Sequence, residues 1–125
     1  MESKSKEDKE LGKKGEQAAA EFVERIGMEV LERNWKGKVG EVDIVARDDG
    51  AIVFIEVKTR RATDKGQPEE AIGPAKQKKY IQLAGEYLAG LEDPEVEVRF
   101  DAISILVIED DRALLRHHLA AFSES

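Results

Sequence analysis

The sequence predicts one α/β domain, a mixed central sheet flanked by helices, and three features carry that prediction. Two adjacent strand-like runs lie between Gly40 and Arg61, joined at Asp48-Asp49-Gly50, where Asp-Gly is a strong hairpin signal. Helical periodicities stand before and after that hairpin. A long strand pattern, Val96 to Ile108, follows the second helix. The expected order is α-β-β-β-α-β, with a candidate final strand.

Residues 1–9 are polar and of mixed charge and read as a flexible tail, which leaves 10–125 as the single domain. Leu11, Gly15, Ala18, Ala19, Phe22 and Ile26 fall on one face of a helix from Glu10 to Ile26, ended by Gly27. Met28 to Trp35 reads as a short strand, and Asn34 to Lys38 as a turn in which Trp35 is a packing residue. In the hairpin, Val42, Ile44 and Ala46 alternate with Glu41, Asp43 and Val45. Ala51 to Thr59 is almost unbroken apolar sequence, the mark of a central strand covered on both faces.

Arg60 to Gly73 reads as a loop, with one helical turn at Glu69-Glu70-Ala71-Ile72. Pro74 suits the first turn of a helix that runs on to Leu91, with Tyr80, Leu83, Ala84, Tyr87 and Leu88 on its apolar face. After the Val96–Ile108 strand, Asp110-Asp111-Arg112 turns the chain into the candidate edge strand, Ala113 to Leu119. His117 and His118 are adjacent there and point to opposite faces, a poor bidentate metal site. Both read as surface or partner contacts.

A chain of 125 residues, 41% hydrophobic, can bury a real core. The absence of cysteine excludes disulfides, thiol catalysis and cysteine-based zinc sites. No apolar run approaches the ~20 residues a membrane span needs, and the first ten residues lack the apolar centre of a signal peptide. A cytoplasmic location is the expectation. The net charge is −7, yet residues 58–80 hold seven basic against three acidic residues. A local basic segment can bind a phosphate backbone within an acidic whole.

That basic segment begins beside a charged strand end. Glu56 and Lys58 are two apart and share a face with Phe54, while Asp43 lies on the paired strand. Glu16 sits at the margin of the first helix's apolar stripe, placed to supply a third acid. Buried carboxylates are costly unless they pair or hold a metal. Hard oxygen ligands favour Mg²⁺ or Mn²⁺, with a substrate phosphate completing the shell. In such a site Lys58 can orient the attacking water or offset developing charge. Arg60, Arg61 and Lys76 can position flanking phosphates. The Lys76-Gln77-Lys78-Lys79 run opens the second helix, where cations oppose the helix dipole and a bound anion would account for them. The bland alternatives are an inert Glu56–Lys58 ion pair and a solvated basic loop.

Glu16, Asp43 and the Glu56-Val57-Lys58 triplet resemble the signature of the PD-(D/E)XK nuclease superfamily, whose members share the restriction-endonuclease-like fold. Several further stretches resemble the YraN family of small bacterial proteins over roughly residues 10–122. They are Gly12-Lys13-Lys14-Gly15-Glu16, Arg33-Asn34-Trp35, Gly40 to Val45, Phe54 to Arg60, Lys76-Gln77 and Arg99-Phe100-Asp101. In Glu16, Asp43, Glu56 and Lys58 the chain is also similar to archaeal Holliday-junction resolvases.

The resemblance implies a metal-dependent endonuclease. Asp43 and Glu56 would be the metal ligands, Lys58 the catalytic lysine and Glu16 a supporting acid. Arg60, Arg61, Lys76 and Gln77 would contact nucleic acid, with DNA preferred over RNA. The residue before Asp43 is Val42 where the superfamily pattern has proline. A homodimer is a candidate assembly, since junction-cutting enzymes need two active sites, although no apolar stripe demands one. The competing reading is a catalytically weak or silent module on the same fold, binding nucleic acid or protein.

Overall fold

The computed structural model describes residues 2–63, 72–92, 95–109 and 111–123, with the side chains of residues 2–5 excepted. The elements are α1 (Glu2–Arg25), β1 (Glu29–Lys36), β2 (Glu41–Asp48), β3 (Ala51–Arg61), α2 (Pro74–Ala89), β4 (Glu97–Glu109) and β5 (Arg112–Phe122). The candidate final strand is therefore present. All five strands form one sheet in the order β1-β2-β3-β4-β5. Three neighbouring pairs are antiparallel, and only β3 and β4 run parallel. That pair needs a crossover connection, and α2 lies within it.

The hairpin forms as its sequence dictates. Asp49 and Gly50 take φ of 54° and 113° between the paired residues Asp48 and Ala51. A two-residue loop with both φ values positive matches the twist of the strands it joins.

The sheet divides the core into two layers. On one face, Ile44, Ala46, Val53, Ile55, Ile103 and Ile105 pack against Ala19, Ala20 and Val23 of α1. On the other, Val45, Ile52, Phe54 and Phe100 pack against Tyr80, Leu83 and Ala84 of α2. This is why β3 reads as continuous apolar sequence: its even and odd residues fill different layers. Trp35 packs on the α2 layer, with its ring edge-on to Tyr87 at 5.2 Å.

Three expectations differ from the structure. Helix α1 starts at Glu2, where the periodicity points to Glu10. Its buried face is Gly15, Ala19, Ala20 and Val23, while Ala18 is exposed and Ile26 is half-exposed. The cause is a close approach at Gly15, where an added Cβ would collide with Thr59 Oγ1 and stand 3.0 Å from Thr59 Cβ. That contact turns the helix by about one residue from the stripe that hydrophobicity suggests. Arg60 and Arg61 belong to β3 rather than to a loop, because β4 runs beside them to the pair Arg61–Val107. The helical turn expected at residues 69–72 lies outside the described residues but for Ile72.

His117 is the third correction. Its side chain is 7% exposed, with Nε2 2.8 Å from Asp101 Oδ2. It faces α1, edge-on to Phe22, because it pairs with Ile103 in the sheet register. Asp101 is fully buried and accepts two bonds from Arg99 at 2.8 and 2.9 Å and one from the Ala120 N–H at 3.0 Å. Arg99 also donates to Asp48 at 2.8 Å. Burial opposes the Asp101 charge, but the bonds from His117, Arg99 and Ala120 outweigh it and hold its carboxyl below the usual range. His118, one residue on, is half-buried and on the α2 face.

Candidate active site

Strands β2 and β3 pair from Asp48–Ala51 to Ile44–Ile55, and their register stops there. Beyond Ile44, β2 stays with β1 as far as the pair Glu41–Lys36. The two strands fork at Asp43. The backbone also rotates at this point: Ile44 packs in the α1 layer, while Val42, two residues earlier, packs in the α2 layer. The rotation aims the Asp43 carboxylate into the fork, where Oδ2 accepts the Val57 N–H at 2.8 Å.

Glu56 precedes Val57 and points to the α2 face. Its side chain is 8% exposed, and Lys76 Nζ of α2 lies 3.4 Å from its Oε1. Its other oxygen, Oε2, is buried without a hydrogen-bond partner. Lys58 shares this face by the two-residue period of the strand and pairs with Ser104 of β4. Glu16 approaches from α1, with Oε1 accepting the Asn34 side-chain amide at 3.0 Å. The close Gly15–Thr59 contact sets the position of that helix turn.

The electrostatics fit a crowded acid site. Burial pushes the Asp43 carboxyl up to about 7; the Val57 N–H opposes that, and the nearby Glu16 and Glu56 charges add to it. Tyr80 completes the fork. Its hydroxyl stands 3.3 Å from the Asp43 N–H, which donates to it, and 3.4 Å from the Ile55 carbonyl. Burial, followed by the Asp43 charge, drives the Tyr80 phenol above its ordinary range.

The sequence-predicted residues thus separate into two groups. Glu16, Asp43, Glu56, Lys58 and Lys76 gather at one end of the sheet. Arg60 and Arg61 part company, since adjacent strand residues face opposite ways. Arg61 turns to α1 and pairs with Asp8 at 3.3 Å, while Arg60 shares the α2 face with Lys58. Gln77 donates to the Ile72 carbonyl at 2.7 Å and so braces the entry to α2. Lys76, expected to meet a flanking phosphate, has a partner within the site. The helical period accounts for Tyr80 as a core residue and assigns its hydroxyl no role. The signal was the hydroxyl itself, which needs a partner when buried.

A metal must satisfy a donor set that these residues can supply. Among the described residues no group of three His, Asp or Glu side chains is spaced to hold an ion. Two carboxylates remain, Asp43 and Glu56, one of them with a buried unsatisfied oxygen. These two carboxylates are the donors that could hold a hard divalent ion, and the rest of its shell would have to come from other oxygens.

The chain matches the model of the "Uncharacterised protein family UPF0102" over residues 15–105. It belongs to the UPF0102 family. A UPF0102 protein of Chlorobaculum parvum is 44% identical over 86% of this chain and 84% of its own. One from Nocardia farcinica is 40% identical over 90% of this chain and 88% of its own. One from Geobacter sulfurreducens is 40% identical over 94% of this chain and 92% of its own. Glu16, Asp43, Glu56, Lys58 and Lys76 all lie within the UPF0102 match, whereas β5 lies beyond it. No helix among the described residues is long and apolar enough to cross a membrane.

Proposed function

We propose that this UPF0102 protein is a Mg²⁺- or Mn²⁺-dependent endodeoxyribonuclease with a restriction-endonuclease-like fold of the PD-(D/E)XK kind, acting in the cytoplasm on branched or damaged DNA. One observation supports it above the others. The fork at Asp43 brings its carboxylate within reach of the Glu56 charge, one Glu56 oxygen is buried and unsatisfied, and Lys58 follows two residues on along the same strand face. A buried carboxylate oxygen with no hydrogen-bond partner costs stability and calls for an explanation in function.

Asp43 and Glu56 would hold the metal. Bound there, it would supply Lewis-acid polarisation of a phosphoryl oxygen and a more acidic water. The protein's own groups do the rest. Val57 N–H fixes the Asp43 carboxylate, and Tyr80 fixes the backbone that carries it. The Lys58 ammonium orients the attacking water and offsets negative charge growing on the phosphoryl oxygens. Water adds to phosphorus, one P–O ester bond breaks, and the leaving oxygen takes up a proton. Lys76 reaches the same pocket from α2 and places a second cation near the phosphate. Glu16 lends negative charge to the site's flank.

The test is cleavage by purified protein of single-stranded, duplex, flapped and four-way-junction DNA, and of RNA, in Mg²⁺ and in Mn²⁺. Metal-dependent cutting that disappears in both Lys58→Ala and Asp43→Asn is the expected result. Cutting that persists in both variants marks a contaminating nuclease, and its absence from wild type contradicts the proposal.

A further inference from the structure

The sheet register carries the site's charge across two strands. On β3, β4 and β5, Lys58 pairs with Ser104 and Ser104 with Arg116. The next row is Arg60, Leu106 and Leu114. The preceding one is Glu56, Ala102 and His118. Paired residues share a face, so Lys58, Arg60, Arg116 and His118 all stand on the α2 side. Helix α2 covers a different part of that face, over Phe54, Phe100 and Phe122.

Neighbouring strands lie about 4.8 Å apart, so the row from Lys58 to Arg116 spans about 10 Å. It starts at Lys58, one row beyond Glu56, and ends at an exposed arginine on the edge strand of the sheet. Its middle member is a serine whose Oγ is buried without a hydrogen-bond partner, so the row stays polar throughout.

The opposite face at the same sheet end has a different character. The groove between α1 and β3–β5 is lined by Glu7, Glu10, Glu109 and Asp111 against Lys14, Arg61 and Arg112. Acids outnumber bases there, which disfavours a polyanion. The α2 face offers cations in rows that begin at the reaction centre.

We propose that the substrate's sugar–phosphate backbone leaves the acid pair along the α2 face of β3, β4 and β5, with Arg116 as its outer phosphate contact. This rests on the nucleic-acid reading above and adds to it a direction of travel and a residue outside the matched family region. Phosphate contacts of this kind set position and affinity without reading sequence. Arg116 serves the backbone, and so acts on all sequences alike.

The experiment compares Arg116→Glu with Arg112→Glu. Both lie on β5 and change net charge equally, but Arg112 lines the acidic groove on the other face. Binding of a fluorescent single-stranded DNA, and of the RNA of the same sequence, is followed by anisotropy in chelator at two salt concentrations. Melting curves check that both variants remain folded, and Arg116→Gln serves as a milder change. The expected result is a tenfold or greater loss for Arg116→Glu with less than twofold for Arg112→Glu. For Arg116→Gln the slope of log K against log salt should fall by about one. Equal losses in the two glutamate variants overturn the track and leave the nuclease reading standing. Absence of binding by wild type overturns the track, and the cleavage assay then decides the nuclease reading separately.

Discussion

The Asp43 carboxylate takes the Val57 N–H at 2.8 Å, so a side chain occupies the place where a β2 carbonyl would continue the ladder. The ladder has ended one residue earlier, at Ile44–Ile55. Asp43 therefore has two duties. It closes the fork structurally, and it brings a carboxylate beside Glu56.

Asp43→Asn separates these duties. Asparagine keeps an acceptor for Val57 and loses the charge. Because burial lifts the Asp43 pKa from 3.8 to about 7, the folded state holds a proton that the unfolded chain releases. The stability gained is complete below the unfolded value and is lost as pH rises through about 7. In chelator at pH 8, Asp43→Asn should be more stable than wild type by about 2–4 kcal/mol, with the gap closing toward pH 4. Urea unfolding at several pH values measures it. A variant less stable than wild type at pH 8 would contradict the assignment. Asp43→Ala, which strands the Val57 N–H, should lose about 1–3 kcal/mol at pH 4, where both residues are neutral.

Lys76 and a divalent cation compete for one carboxylate, since Lys76 Nζ stands 3.4 Å from Glu56 Oε1. Lys76→Met should bind Mn²⁺ several-fold more tightly by calorimetry. It should also melt earlier in chelator, because Glu56 is nearly buried and loses its cation. Unchanged affinity and unchanged melting would show that the contact carries no weight.

Gly15→Ala tests the placement of α1. Alanine would favour the helix by about 1 kcal/mol, but its Cβ has no room against Thr59. A net loss of about 1–3 kcal/mol is expected, with part of it recovered in the Gly15→Ala, Thr59→Ala double variant, which removes the colliding Oγ1. A stabilised Gly15→Ala protein would mean that the helix can stand off without cost.

Asp101→Ala should cost about 3–5 kcal/mol, because it leaves Arg99 without its buried partner and frees the Ala120 turn. Since the Asp101 carboxyl lies below its ordinary range, its contribution is present at neutral pH and is lost as pH falls through the lowered value. Denaturant melts at pH 7 check the magnitude. Wild-type stability in this variant would remove the network from the account of β5.

Much of this arrangement was legible in the sequence. Asp49-Gly50 marked the hairpin, and the two-residue period put Glu56 and Lys58 on one face beside Asp43. The rest depended on tertiary geometry. Val42, Ile44 and Ala46 look like one strand face, and only the rotation at the fork sends Val42 to the other layer. The α1 stripe shifted because small residues let the helix sit close on Thr59, a fact that hydrophobicity does not encode. Arg60 and Arg61 looked like a loop because strand length was set by β4 beside them. His117 looked like a surface residue because its partner, Asp101, is sixteen positions away on another strand.

The most direct test of the central claim is calorimetric titration of Mn²⁺ into the protein with a nuclease-resistant phosphorothioate oligonucleotide, which supplies phosphate oxygens without turnover. Wild type should take up metal, and Glu56→Gln and Asp43→Asn should lose that uptake while still unfolding cooperatively. Wild type that takes up no Mn²⁺, or variants that bind it as wild type does, would contradict the reading of Asp43 and Glu56 as a metal site.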